Sequence, residues 1–337
     1  MTGHHRWIIG VATSTGLLGL TVTSGLAILS HYFVDELSHP HVELDTSQFT
    51  WEMPQCAEEP PASLRRALTF QTFDGTFLRG EFWAQPQPAP TIILCHGYRV
   101  TRANMYPVAA LEYQSGYNIL LFDFRGHGES ESVITSGGIA EVHDLEAALT
   151  AARRQPETLP GKMIIHGFSM GASIALLTPP HPDVAAIIAD SAYARLDDVL
   201  RRFVHYRLTS ESAGWKPSLH QLRRAFPAIA WAIVLTSSLD FRLRFGHSLF
   251  ARPDRSFKRG RKPDQNPRQI PILLIHGEAD DTIPIHHAHT LVKAAQASDT
   301  QLEVYYVPKA AHCEAYGRDP EKYVSRLQQF VSQQLNR

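Results

Sequence analysis

The stretch that most constrains the fold is Lys162–Ala172, reading Lys-Met-Ile-Ile-His-Gly-Phe-Ser-Met-Gly-Ala. Met163–Ile165 is a short apolar run of the kind that forms a buried strand. Gly167-Phe168-Ser169-Met170-Gly171 follows at once and has the form G-x-S-x-G. A strand that turns sharply into a helix leaves its middle residue strained, with the side chain held out at the tip. Glycine is needed two residues before and two after, because a Cβ there would meet the neighbouring strand or helix. A serine so placed sits at a helix N-terminus, where the dipole and unpaired N–H groups favour the negative charge of an acyl-transfer intermediate. The plainer alternative is a Gly-rich turn with no chemistry, and the rest of the chain has to decide.

The surrounding pattern supports a layered α/β fold. Leu68–Phe73 and Phe77–Trp83 flank Asp74-Gly75, a hairpin signal. Apolar strands are expected at Thr91–Cys95, Asn118–Phe122, Val184–Ala189, Ile272–Ile275 and Leu302–Val307. Helical patterns fall at Ala103–Gln114, Ile139–Arg154 and Glu321–Leu335. Strands that are apolar throughout and alternate with helices predict a mostly parallel central sheet covered on both faces. At 337 residues the chain can bury a large core. Its net charge of -1 gives no reason to expect a nucleic-acid or polyanionic partner. Cys56, Cys95 and Cys313 are too few and too scattered for a disulfide framework or a zinc site.

Two regions depart from this rhythm. Trp7–Leu29 has no ionisable residue and is long enough to cross a bilayer as a helix. Arg6 precedes it, and Asp35 and Glu36 follow, which predicts a cytoplasmic N-terminus with the remainder extracytoplasmic. A cleaved signal peptide is the rival, but the apolar stretch is long for one and no clear small-x-small site follows. Residues 1–34 are therefore expected to be a transmembrane anchor and 35–67 a linker or arm, so that a cut near Leu37 would release the catalytic part. The second region, 195–269, has no clear strand in about 75 residues, too many for a plain loop. It is expected to be a helical lid inserted in a domain running from 68 to 337. Its apolar run Ala225–Leu239 contains Pro227 and is short for a membrane span. Having no clean polar face, it is expected to wall an acyl-chain pocket rather than meet lipid.

In an open parallel sheet, function collects at the carboxyl ends of the strands. A serine nucleophile needs a base to take its proton and an acid to orient that base. Ser169, Asp280 and His312 stand in that chain order, each just after an expected strand. The sequence at this point resembles the α/β-hydrolase superfamily, in the branch of serine aminopeptidases and lysophospholipase-like enzymes. The resemblance is carried by His96-Gly97, Asp123-x-Arg125-Gly126-His127-Gly128-x-Ser130, Gly167-x-Ser169-x-Gly171, His276-Gly277-x-x-Asp280-x-x-Ile283-Pro284 and Ala311-His312. It extends from about Leu68 to the C-terminus. It implies a triad of Ser169, Asp280 and His312, with backbone N–H groups of Met170 and Tyr98 as the oxyanion hole. The family spacing prefers Asp280 to its neighbour Asp281. Asp190, which also ends a strand, reads as a structural cap in Ala-Asp-Ser-Ala. His96 and His127 are expected to shape loops, and Cys95 and Cys313 to pack. His286, His287 and His289 at a helix start read as a solvated face rather than a metal site.

The resulting expectation is a membrane-anchored serine hydrolase that cleaves an ester, thioester or amide through an acyl-enzyme, on a small or lipid-like acyl substrate, with no cofactor or metal. Two alternatives stand beside it: a serine aminopeptidase-type peptidase, and a non-catalytic binding module on the same fold at the membrane. The module would be expected to carry a damaged triad, and every position here is intact. A haloalkane dehalogenase would need aspartate at position 169.

Overall fold

The structure, a computed structural model, describes residues 24–40, 54, 56–212, 214, 217–257 and 270–336. Most of the apolar stretch Trp7–Leu29, residues 41–53 and 55 of the 35–67 arm, and the basic tail beyond residue 257 lie outside the described residues. The chain forms two compact units, one comprising Met1–Leu37 with Asp197–Leu249, the other Ser38–Leu196 with Phe250–Arg337.

The larger unit is built on one eight-stranded sheet. Its strands are β1 (Arg65–Gln71), β2 (Phe77–Trp83), β3 (Ala89–Cys95), β4 (Asn118–Phe122), β5 (Thr158–Phe168), β6 (Val184–Asp190), β7 (Ile272–Gly277) and β8 (Leu302–Val307). Their spatial order is β1-β2-β4-β3-β5-β6-β7-β8. Only the β1–β2 and β2–β4 pairings are antiparallel, so the expected mostly parallel sheet is what forms. The β1–β2 hairpin turns at Asp74-Gly75, with Gly75 at φ 92°, a conformation that glycine adopts without steric cost. Two apolar layers cover the sheet. Leu145, Leu149, Ile174 and Leu291 belong to one, Val108, Tyr323, Leu327 and Phe330 to the other. The first draws on helices α3 (Glu141–Arg153), α4 (Met170–Leu177) and α8 (His286–Gln296). The second draws on α2 (Tyr106–Gln114) and α10 (Pro320–Leu335). The predicted helix at Ala103–Gln114 begins instead as a tight turn at Arg102–Met105, and α2 starts where Pro107 can lose its N–H without cost. Strand order reverses at β3, which pairs with β4 on one side and β5 on the other, the kind of switch point at which open α/β sheets place their sites.

The smaller unit is helical. It contains α1 (24–38, to residue 37), nearly all of α5 (Leu196–Glu211) and α6 (Phe226–Phe245). Ser30 of α1 meets Ile233, Thr236 and Ser237 of α6, His31 faces Asp240, and Asp35 accepts from Arg244 at 2.6 Å. The contacts advance together along both helices, so α1 and α6 run parallel. Phe33 stacks on Phe203 of α5 with ring centroids 6.2 Å apart. The apolar run around Ala225–Leu239 is longer than its composition suggested. Pro227 falls in the first turn, where it starts a helix rather than breaking one. Among the described residues, His220–Phe245 is the one helical run long and apolar enough to cross a membrane, by length and composition alone. Trp231, Leu235, Leu239 and Leu243, four residues apart, form an exposed stripe on α6.

The packing of α1 moves the boundary at which a truncation should be tolerated. Phe33 and Val34 are buried, so cutting near Leu37 would strip two core side chains from the helical unit. A chain starting at residue 24 should keep 197–249 resistant to limited proteolysis. One starting at residue 38 should lose that protection, since deleting a buried aromatic costs about 3–5 kcal/mol. Equal protection in both would mean that α1 contributes nothing to the unit.

Candidate active site

Ser169 sits between β5 and α4 at φ 52° and ψ −111°, a left-handed conformation that a side chain rarely adopts. Its N–H donates to the Asp190 carbonyl at 2.8 Å. The two flanking glycines are required by close approach. A Cβ on Gly167 would lie 2.5 Å from the Gly171 carbonyl carbon, and one on Gly171 would lie 2.3 Å from the Cys95 carbonyl oxygen. The first turn of α4 therefore rests directly on the end of β3. The same Gly171 contact reaches the His96 carbonyl oxygen, at the start of the loop His96-Gly97-Tyr98.

The other two residues singled out by spacing arrive from neighbouring strand ends. Asp280 follows β7 and is buried, with Ile283 N–H donating to its Oδ1 at 2.7 Å. His312 follows β8. Its Nδ1 lies 2.8 Å from Asp280 Oδ2, and its Nε2 lies 2.9 Å from Ser169 Oγ. A carboxylate only accepts, so Nδ1 carries the proton and Nε2 is left to receive one from the serine hydroxyl. Asp281, the neighbouring candidate, is exposed. The Asp190 carboxylate accepts from Tyr323 O–H and Ser191 Oγ–H, both at 2.9 Å.

The Asp123–Ser130 motif builds the wall beside this site. Asp123 is buried and accepts from the Arg102 N–H at 2.8 Å and the Glu129 N–H at 3.0 Å, and also from the Arg102 guanidinium. Phe124 N–H donates to His96 Nε2 at 2.9 Å, and His96 Nδ1–H donates to the Gly97 carbonyl at 2.7 Å. This histidine thereby fixes the turn that presents Tyr98. Burial pushes the His96 imidazole down to about 4, and burial with the nearby His96 pushes His127 down to about 3. Both rings are neutral at ordinary pH and are suited to holding loops rather than moving protons. Cys95 and Cys313 are buried, and burial raises both thiols, which leaves them protonated and inert. The α8 histidines differ from the expected solvated face. His286 and His289 are exposed, but His287 is buried and its Nδ1 accepts from Ala194 N–H at 3.2 Å.

Ser191, Arg102 and Tyr323 carried no motif signal, yet each holds a carboxylate or a loop at the site. The fold agrees with comparisons to known proteins. A profile of the alpha/beta hydrolase family matches residues 92–326, more than half of the chain. The chain belongs to the alpha/beta hydrolase family. It is 26% identical over 276 residues to the uncharacterized protein YqkD of Bacillus subtilis (strain 168), covering 79% of this chain and 79% of that one. It is 28% identical over 253 residues to human alpha/beta hydrolase domain-containing protein 17B, covering 74% and 69%. Among solved structures it is similar to Pyrococcus furiosus esterase Pf2001, with TM-score 0.58, 22% identity and coverage of 85% and 97%. It is also similar to Pyrococcus horikoshii acylaminoacyl peptidase, with TM-score 0.55, 18% identity and coverage of 80% and 40%.

The loop after β4 is tied to α3 by a buried ion pair. Arg125 Nη2 donates to Asp144 Oδ1 at 2.6 Å, and its Nη1 donates to Asp74 at 2.8 Å. Burial outweighs the partner at Asp144 and pushes that carboxyl up to about 6. Replacing Arg125 by Met should cost about 3–5 kcal/mol at pH 7.5, because it leaves a buried carboxylate uncompensated. The loss should shrink near pH 5, where Asp144 can take up a proton in the folded state. Urea unfolding at the two pH values is the measurement, and a pH-independent loss would contradict the electrostatic account.

Proposed function

We propose that this chain is a serine hydrolase that cleaves ester, thioester or amide bonds through an acyl-enzyme. The observation that carries this reading is the run of contacts from Asp280 through His312 to Ser169, at 2.8 and 2.9 Å. Ser169 Oγ attacks the substrate carbonyl while its proton passes to His312 Nε2, and the Asp280 carboxylate stabilises the imidazolium that forms. Met170 and Tyr98 N–H groups hold the developing oxyanion. His312 then gives the proton to the leaving group, and water releases the acyl group by the same steps in reverse. Esters are the favoured substrate class, by analogy with the fold's usual chemistry and with the esterase neighbour.

By this reading the catalytic domain runs from residue 68 onward with 195–269 as its insertion, and Trp7–Leu29 tethers the chain to a bilayer with residues 1–6 on the cytoplasmic side. Two features support the tether. Ile28, Leu29 and Tyr32 are exposed on α1 where that apolar stretch ends, and the parallel α6 adds its stripe of Trp231, Leu235, Leu239 and Leu243. Exposed apolar side chains grouped in this way mark an interaction surface.

Ser169→Ala should abolish labelling by a fluorophosphonate probe and lower turnover of short acyl esters on the order of 10³-fold or more, with circular dichroism unchanged. Asp280→Asn should lose far more activity than Asp281→Asn; equal losses would remove Asp280 from its role. For the membrane, full-length protein in vesicles of acyl-brominated phospholipid is compared with its Trp231→Phe variant. The fluorescence difference between them should be quenched relative to vesicles of ordinary lipid, and an unquenched difference would take α6 out of contact with the bilayer.

A further inference from the structure

Behind the proposed triad lies a chain of buried polar groups that the mechanism above does not use. It begins on α2 with Glu112, whose Oε1 is 2.7 Å from His166 Nδ1 on β5. His166 Nε2 is 3.1 Å from the Tyr323 hydroxyl on α10. Tyr323 gives its own proton to Asp190 Oδ2, so its oxygen must accept from His166 Nε2–H. Ser191 Oγ–H donates to Asp190 Oδ1 and in turn accepts from Cys313 N–H at 3.1 Å. His166, Tyr323, Asp190 and Ser191 are all fully buried.

Two properties separate this chain from ordinary core polar packing. The first is where it ends. The Asp190 carbonyl receives the N–H of Ser169, and the Asp190 carboxylate, through Ser191, holds the N–H next to His312. The second is backbone strain. Ser169, Ser191 and Cys313 have φ of 52°, 56° and 55°, and three non-glycine residues held left-handed at one spot require surroundings that over-determine them.

We infer that Asp190 is a positioning residue for the hydrolytic reaction: through Ser191 it pins the loop that presents His312, and its buried charge favours the imidazolium formed when Ser169 gives up its proton. The inference rests on the serine-hydrolase reading. The groups that bear on Asp190 are Tyr323 on α10, His166 on β5 with Glu112 of α2 behind it, and His312 and Cys313 after β8; Asp280 after β7 acts with it on the Cys313 thiol. Burial pushes the Asp190 carboxyl up to about 6, against hydrogen bonds from Tyr323 and Ser191 and the charges of His166 and His312. Its ionisation therefore falls in the range where a histidine base also titrates.

The test is kcat, KM and the pH profile of kcat/KM on a short acyl ester, for wild type, Asp190→Asn, Ser191→Ala and Tyr323→Phe. Asp190→Asn should lower kcat about 10- to 100-fold with KM nearly unchanged, an effect of the size general-base alignment supplies. It should also move the acid limb to lower pH, because removing a negative charge lowers the proton affinity of the base. Ser191→Ala should lower kcat and move the limb upward, because it takes a donor from the Asp190 carboxylate. Tyr323→Phe should move the limb upward, because an Asp190 with one donor fewer ionises at higher pH. If Asp190→Asn does not fold, the upward shift of the limb in the other two variants still decides. An unmoved limb in both Asp190→Asn and Tyr323→Phe would overturn the inference, as would a loss in Asp190→Asn equal to that in Asp280→Asn. Wild-type protein that escapes fluorophosphonate labelling would instead overturn the hydrolase reading beneath it.

Discussion

The contact on which the rest of the site depends is backbone against backbone. Gly171, in the first turn of α4, lies so close to the end of β3 that no side chain fits between it and Cys95. That approach fixes the direction of α4, and with it the strained turn that lifts Ser169 from the sheet. It also sets the first turn of α4 against the His96 carbonyl, where the loop carrying Tyr98 begins. Interiors this tightly packed transmit displacement rather than absorb it, so any shift of β3 would be felt at the serine.

Charge is used in two ways around this frame. Half-buried Arg102 pairs with Asp123, and buried Arg125 pairs with Asp144 of α3; together they lock the Asp123–Ser130 segment in place. Such pairs add little net stability once desolvation is counted, but breaking one is expensive. Their effect is to make one loop conformation far better than its neighbours. His127 of that segment and His96, which accepts from Phe124 N–H, are kept neutral by burial, leaving His312, partly open to solvent, to face the serine.

Much of the fold was legible because continuous apolar runs of strand length permit few other structures. Asn118–Phe122 and Leu302–Val307 become β4 and β8 with the limits their composition suggested. Ser169, Asp280 and His312 stood out through spacing to strand ends, and the fold brings the three within hydrogen-bond reach. Ser191 and Tyr323 did not stand out. Tyr323 reads as one more core aromatic on an amphipathic helix, and its meeting with Asp190 spans 133 positions of sequence. The length of α6 was missed for a local reason, since Pro227 reads as a breaker until its place in the first turn is known. The pairing of α1 with α6 has no sequence signal, because composition does not say which of several apolar faces will meet.

That parallel pairing has a consequence for the order of folding. Ser30 and Thr236 touch across 206 positions, and parallel neighbours cannot be joined by a short turn. Nearly the whole of the sheet up to β6 is synthesised between them. The first helix therefore waits, with Phe33 and Val34 unburied, until α6 has been made. Contacts of such long range are slow to form, and apolar surface waiting for its partner is prone to association with other chains. An N-terminal stretch held by a bilayer during that interval would keep this surface away from its counterparts on other copies.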